Sequence, residues 1–386
     1  MNDYNFTEEQ LMIRDLARQI AQEKVKPVRA KLDEEGEFSQ EIMKTLADSD
    51  LFAIFIPEEY GGLGGGALEL CIVTEELSKV CAGVAVSYAA SALGAYPIML
   101  YGSKEQKKKF LPPIASGEKL AAFGLTEPNA GSDASGIETT AKKDGKDYIL
   151  NGNKVFITNG GVADIYTVVV MTDKSRGPRG ASAIVVEKGT EGFDFGKEED
   201  KMGIRASATR ELIFSDCRVP TENLLKREGL GFIVTMKTFD KSRPGIGAQA
   251  VGIAQGAIDE AVDYATGRIQ FGKPISSFQA IQHKIAELST RTEAARNLVY
   301  QAARMVDSDR NDVSKISAMS KLFASDVAMD VTTEAVQILG GYGYMKEYPM
   351  EKYMRDAKIT QIYEGTNEIQ KGIIGQEVIK ESKSRN

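Results

Sequence analysis

The hydrophobic period of this chain changes twice. Residues 1–120 repeat their apolar positions at helical spacing, residues 121–228 break into short alternating runs, and residues 229–386 return to long helical stripes. One layer cannot satisfy both periods, and 386 residues exceed one ordinary core. The pattern predicts a mainly α fold with a central β domain. Its parts are an N-terminal helical domain (1–120), a small β-barrel (121–228) and a C-terminal four-helix bundle (229–386).

In the first zone Thr7-Glu8-Glu9-Gln10 reads as a capped helix start, with Ile13, Leu16 and Ile20 following at helical spacing. Further helices are expected over 68–80 and 82–101, and a short basic one over 104–110. Gly61-Gly62-Leu63-Gly64-Gly65-Gly66 reads as a flexible loop; it follows no strand, so it is not a dinucleotide fingerprint. The second zone offers strands over 148–150, 154–158, 165–171, 182–187 and 211–214. Turn signals part them, among them Asn151-Gly152-Asn153 and Asn159-Gly160-Gly161. The third zone carries three apolar stripes: Val251 to Ala265, Ile281 to Ala302, and Ile316, Met319, Leu322, Phe323 and Val327 onward to Leu339.

Net charge is −7, which disfavours generic nucleic-acid binding. Cys71, Cys81 and Cys217 form no metal-ligand spacing, and the single histidine, His283, lies in a helical pattern as an ordinary surface or interface residue. No metal site is expected, and a reduced, cytoplasmic setting fits. The start of the chain has no leader-like run and no stretch of 18 apolar residues occurs, so neither a signal peptide nor a membrane helix is expected.

The segment Gln361-Ile362-Tyr363-Glu364-Gly365-Thr366-Asn367-Glu368-Ile369-Gln370 sets one acid between an aromatic and a glycine. A carboxylate held there in an apolar pocket has its pKa raised by burial, as a general base for a weakly acidic proton requires. Most glutamates are surface residues; four other segments lift this one above that default.

Leu125-Thr126-Glu127-Pro128-Asn129-Ala130-Gly131-Ser132-Asp133 resembles the flavin-loop signature of acyl-CoA dehydrogenases, and Arg268-Ile269-Gln270-Phe271-Gly272-Lys273-Pro274 resembles the second signature of that family. Gln337 to Tyr344 and the Tyr363–Thr366 segment complete the likeness, which spans about residues 5–380. The resemblance implies FAD as cofactor. Phe123, Leu125, Thr126 and Ser132 would line it. Phe156 would stand where many members carry Trp, and Thr158 would meet flavin N5. Arg268, Phe271, Gln279, Gln337, Gly340 and Gly341 would hold the adenine and pyrophosphate end of a neighbouring subunit's flavin, with Thr366 and Glu368 also at the cofactor. A homotetramer follows from that sharing. The glycines at 340–341 also read as a helix stop.

By the same resemblance Glu364 is the catalytic base for α,β-dehydrogenation of an acyl-CoA, as in fatty-acid β-oxidation, with an electron-transfer flavoprotein as redox partner. One subgroup carries its base near Ser242, which is not acidic here. Ser132, Asp240, Arg243, Gln249, Thr360 and Gly365 are implied at the substrate. Asp240 also reads as a helix N-cap. Gln249 and Thr360 match short-chain members, favouring a short acyl group, with a compact branched or cyclic one as alternative. Other readings are an enoyl-CoA reductase running the site in reverse and, remotely, a non-catalytic nucleic-acid-binding flavoprotein.

Overall fold

A computed structural model describes residues 4–308, 310 and 312–384. The first zone folds into α1 (Glu8–Ile20), α2 (Arg29–Glu35), α3 (Gln40–Asp48), α4 (Ala67–Ser78), α5 (Ala82–Tyr101) and α6 (Lys104–Ala115). The Thr7 cap forms reciprocally: Gln10 N–H donates to Thr7 Oγ1 (3.2 Å) and Thr7 N–H to Gln10 Oε1 (3.0 Å). Helix α6 outruns its expected end through Pro112 and Pro113. The carbonyls that these prolines leave without a donor belong to Lys108 and Lys109, which are exposed and open to water.

The glycine-rich loop is packed, not flexible. A Cβ on Gly62 would fall 1.9 Å from the Ile56 carbonyl oxygen, and one on Gly65 2.4 Å from that of Ile54. The loop ends at α4, whose free N–H groups are taken by Glu69 and by Asp307, the latter at 2.7 and 3.0 Å.

The middle zone is one seven-stranded sheet: β1 (Ala121–Gly124), β2 (Thr140–Asp144), β3 (Asp147–Thr158), β4 (Ile165–Met171), β5 (Ala181–Glu187), β6 (Phe193–Glu198) and β7 (Thr209–Pro220). The pairing order is β1-β4-β2-β3-β7-β6, with β5 on β4; β1 pairs β4 in parallel, and most other pairs are antiparallel. The sheet curls until Phe193 and Phe195 of β6 pack on Tyr166 of β4, at 5.0 and 5.5 Å between ring centroids. Asn151-Gly152-Asn153 is not a turn. The two runs flanking it are one strand, β3, and the signal marks a bulge against β7, with Gly152 at φ 134°. A second bulge lies between Lys154 and Ile157.

The last zone is built on α7 (Gly231–Gly267), a small hairpin of β8 (Ile269–Gln270) and β9 (Lys273–Pro274), α8 (Gln279–Asp307) and α9 (Ser314–Leu339). A short α10 (Gly341–Tyr344), then α11 (Met350–Thr360) and α12 (Asn367–Ser384), follow, the last two packed on α9. Asp240 is not a cap: it lies inside α7. Pro244 cannot donate to the Asp240 carbonyl, and the Ser317 hydroxyl does so instead at 2.7 Å. Gly340, at φ 60°, does end α9.

The apolar stripe read for α9 is partly misplaced. Phe323 is 40% exposed, while the buried face includes Ser317, Ser320, Lys321 and Ser325. Small residues let α9 approach α7 closely, and the Ser317 hydroxyl supplies a donor to α7.

Helix α5 is apolar on every side, and among the described residues it alone has the length and composition to cross a bilayer. Its apolar window is 78% buried, which is the condition of a core helix. It packs on α4, α7 and β1, at the junction of the three zones.

Candidate active site

Glu364 sits in the turn between α11 and α12. It takes φ 51°, and Gly365 follows at 91°. Positive φ is costly for a residue with a Cβ and persists only where the surroundings impose it. Here three elements do so. From α7, Arg243 Nε donates to the Glu364 carbonyl (3.4 Å). From α12, Gln370 Nε2 donates to the carbonyls of Glu364 (3.2 Å) and Gly365 (2.8 Å). From α9, Lys321 Nζ donates to the Gly365 carbonyl (2.9 Å) and to Asn367 Oδ1 (2.9 Å). A Cβ at position 365 would lie 2.7 Å from Gln370 Nε2, so glycine is required by both conformation and packing.

The Glu364 carboxylate accepts from Ser242 Oγ at 2.5 Å. Burial pushes its pKa up; Ser242, Arg243 and Lys321 draw it back without cancelling the rise. The Glu364 N–H has no acceptor among the described residues.

This carboxylate opens on a cavity of about 110 Å³. Small residues of α5, Ala89 and Ala90, form one wall with Leu93, and Phe239 and Ile246 of α7 form another. Opposite them stand Phe123, Leu125, Thr126, Phe156 and Thr158, so the flavin-loop residues and the acid share one space. The hydroxyls of Thr126 and Thr158 have no hydrogen-bond partner among the described residues. Phe156 rides the second β3 bulge at φ 60° and is 68% exposed. Behind this edge lies a buried ion pair. Lys154 Nζ contacts Glu127 Oε1 (2.6 Å) and donates to the Leu125 carbonyl (3.0 Å), and Glu127 also accepts from the N–H groups of Glu138 and Thr139. Burial draws Lys154 down to about 8.

The remaining sequence-read residues divide. Gln249 is buried, donating to the Ala82 carbonyl (3.1 Å) and accepting from the Tyr363 hydroxyl, so it braces a cavity wall from behind. Thr360 is also buried, its hydroxyl bonded to the Ala357 carbonyl (2.7 Å), and does not line the cavity. Asp240 holds Ser314 (2.6 Å) and lies 3.6 Å from Arg243. Ser132 is exposed. Thr366 and Glu368 stand at the start of α12, away from the cavity lining.

Arg268, Gly340 and Gly341 form a separate surface groove, in which Arg268 lies 5.3 Å from the Tyr342 ring. Phe271, Gln279 and Gln337 are exposed nearby in the chain, and none lines the Glu364 cavity. Sequence reasoning missed Lys154, Lys321 and the bracing role of Gln370. The available signal for Lys321 was a lysine standing between the apolar residues Met319 and Leu322 of α9.

Three family models cover the chain in order: the acyl-CoA dehydrogenase N-terminal domain over residues 7–118, the middle domain over 122–217 and the C-terminal domain over 229–379. The chain belongs to the acyl-CoA dehydrogenase family. It is 48% identical over 379 residues to a short-chain specific acyl-CoA dehydrogenase of Clostridium acetobutylicum, covering 98% of this chain and 100% of the relative. It is 50% identical over 380 residues to an acryloyl-CoA reductase (NADH) of Anaerotignum propionicum, covering 98% and 96%. Among solved structures, butyryl-CoA dehydrogenase from Megasphaera elsdenii superposes with a TM-score of 0.95 at 49% identity, covering 98% of this chain and 100% of that one. A chain from a structure of the electron transferring flavoprotein of Acidaminococcus fermentans superposes at 0.96 with 50% identity, covering 98% and 99%.

As an acyl-CoA dehydrogenase the protein is an oxidoreductase of CH–CH groups and uses FAD. The cavity edge fits that cofactor: two free hydroxyls for the polar rim of a ring system, and an exposed aromatic beside them.

Proposed function

We propose that the protein converts a short-chain acyl-CoA to the trans-2-enoyl-CoA, with Glu364 as the base that takes the α-proton. One observation carries the reading: Glu364, whose N–H has no acceptor among the described residues, lines the same cavity as Thr126 and Thr158. FAD, when bound, supplies the hydride acceptor for the β-carbon. Leu125, Thr126 and Thr158 hold its polar edge, and Phe156 supplies a ring contact.

The α-carbon is a weak acid, so its base must be stronger than an ordinary carboxylate. Burial of Glu364 provides this. Charge gathers on the thioester oxygen as the proton leaves, and the Glu364 N–H donates to that oxygen. Asp240 and Arg243 border the thioester, and Ser132 meets the CoA side. The small cavity, closed behind Tyr363 by Gln249, limits the acyl group to a short chain or a compact branched or cyclic one.

Arg268, Gln279, Gln337 and the glycines 340–341 serve the cofactor of a second copy, within a homotetramer. An electron-transfer flavoprotein exchanges electrons with the reduced enzyme. The likeness to an acryloyl-CoA reductase supports a second reading, in which the same site runs towards the saturated thioester.

The test is dye-linked turnover of acyl-CoAs from butyryl to octanoyl, with parent and Glu364→Gln. Butyryl-CoA should be preferred. The variant should keep its flavin and lose at least about 10²–10⁴-fold in turnover. Turnover close to the parent's would place the base elsewhere.

A further inference from the structure

Lys321 is fully buried, at 0% exposure, yet its ammonium has no carboxylate within 4.0 Å among the described residues. The other fully buried lysine, Lys154, has Glu127 at 2.6 Å. A buried charge without a counter-ion is costly. Lys321 instead meets two neutral oxygens, Gly365 O and Asn367 Oδ1, both at 2.9 Å. Those two oxygens flank the turn that carries Glu364.

We infer that Lys321 is a positioning residue for the base: it pins the Gly365 peptide from α9 and serves as the through-space counter-charge of the Glu364 carboxylate. The inference rests on the reading of Glu364 as base. Two carbonyls in succession, 364 and 365, receive side-chain donors from α7, α9 and α12. Arg243 and Gln370 could hold the first alone. Among the described residues only Lys321 and Gln370 hold the second, and of the two Lys321 also ties it to the Asn367 side chain, the first residue of α12. With the Gly365 peptide fixed, the Glu364 backbone cannot relax from positive φ, and its carboxylate and N–H keep their aim.

The charge has its own consequence. Arg243 faces Glu364 from α7, with Asp240 behind it; Lys321 faces it from α9, with Asp326 beyond; Glu368 lies on α12; Tyr96 of α5 and Tyr363 complete the surroundings. The two cations and the Ser242 hydroxyl of α7 favour the ionised base. Removing Lys321 leaves Arg243 as the one cation, with Ser242, against burial.

Lys321→Met removes donor and charge at similar length, and Lys321→Gln keeps a donor without charge. Both are compared with the parent and with Glu364→Gln for flavin content, kcat, KM and the pH profile of kcat. Lys321→Met should retain flavin and KM within about twofold, lose about tenfold or more in kcat, and move the acid limb of its profile up by about one pH unit. Lys321→Gln should show the same pH shift with a smaller loss of kcat. If Glu364→Gln is inactive while both Lys321 variants keep parental kcat and profile, Lys321 is a packing residue and the inference is wrong. It is equally wrong if the variants fold, lose kcat and leave the limb unmoved. If Lys321→Met does not fold, the shift in Lys321→Gln decides alone. An active Glu364→Gln would overturn the base itself, and with it this role.

Discussion

The residue that the chemistry needs most is also one that the fold holds against its preference. Glu364 combines positive φ with burial that raises its pKa. A carboxyl whose pKa is higher folded than unfolded binds protons more readily in the native state, so stability falls as pH climbs from the unfolded value through the folded one. At neutral pH the ionised Glu364 therefore costs stability. Glu364→Gln should abolish turnover yet raise the thermal midpoint at pH 7, and that gain should shrink as pH drops below the unfolded carboxylate range, where both side chains are neutral. Thermal melts of parent and variant across this range decide it; a midpoint lower than the parent's at pH 7 would mean that the Ser242 contact outweighs burial. The acid was legible in the sequence from its neighbours Tyr363 and Gly365. Its supports were not: Ser242, Lys321 and Gln370 come from three separate helices, and no local pattern joins them.

Elements were legible where one period ran long enough, as in α1 and the second half of α7, and illegible where tertiary contact overrode local signals. Asn151-Gly152-Asn153 has turn chemistry, yet continuous pairing with β7 makes it a bulge. The glycine-rich loop before α4 has the composition of a flexible link, yet backbone oxygens of Ile54 and Ile56 fill the space a side chain would need. In α9 the period was right and the face partly wrong, because serines and a lysine are buried there for bonding instead of apolar packing. The same rule governs the strand edge at the cofactor. Lys154 and Glu127 form a buried pair that anchors the Leu125 carbonyl. Lys154→Met leaves the Glu127 carboxylate buried with its two backbone donors and no cation, at a cost of about 3–5 kcal/mol. Reduced thermal stability and faster release of flavin on dilution are expected. Adding Glu127→Gln removes the stranded charge and should recover part of the stability loss. A single variant as stable as the parent, with flavin fully retained, would show that the 125–127 edge does not depend on the pair.

At the scale of the molecule, the cavity is lined by five of the fourteen cofactor residues implied by the family signatures, Phe123, Leu125, Thr126, Phe156 and Thr158. Six others, Arg268, Phe271, Gln279, Gln337, Gly340 and Gly341, lie around the β8–β9 hairpin and the end of α9, and Arg268, Gly340 and Gly341 line a separate groove there. That surface is apolar where solvent should disfavour it: Phe271 is 93% exposed, Ile269 of the same hairpin is exposed, and so are Tyr342, Tyr344 and Met345 after α9, with Tyr342 and Met345 in the groove that Arg268 lines. Exposed apolar residues gathered in this way mark a contact surface. The division makes sense if each copy lends this surface to the flavin held by another, which couples cofactor retention to assembly. The expected state is a homotetramer, with about one FAD per chain. Phe271→Asp places a charge at the centre of the proposed contact without touching the Glu364 cavity. Sedimentation should show the parent as four copies and the variant shifted to smaller species. Flavin absorbance per chain should fall in step with that shift and recover as protein concentration rises. A dissociated variant that keeps its full flavin complement at micromolar concentration would confine the cofactor site to one chain, and the Arg268 groove would then need another purpose.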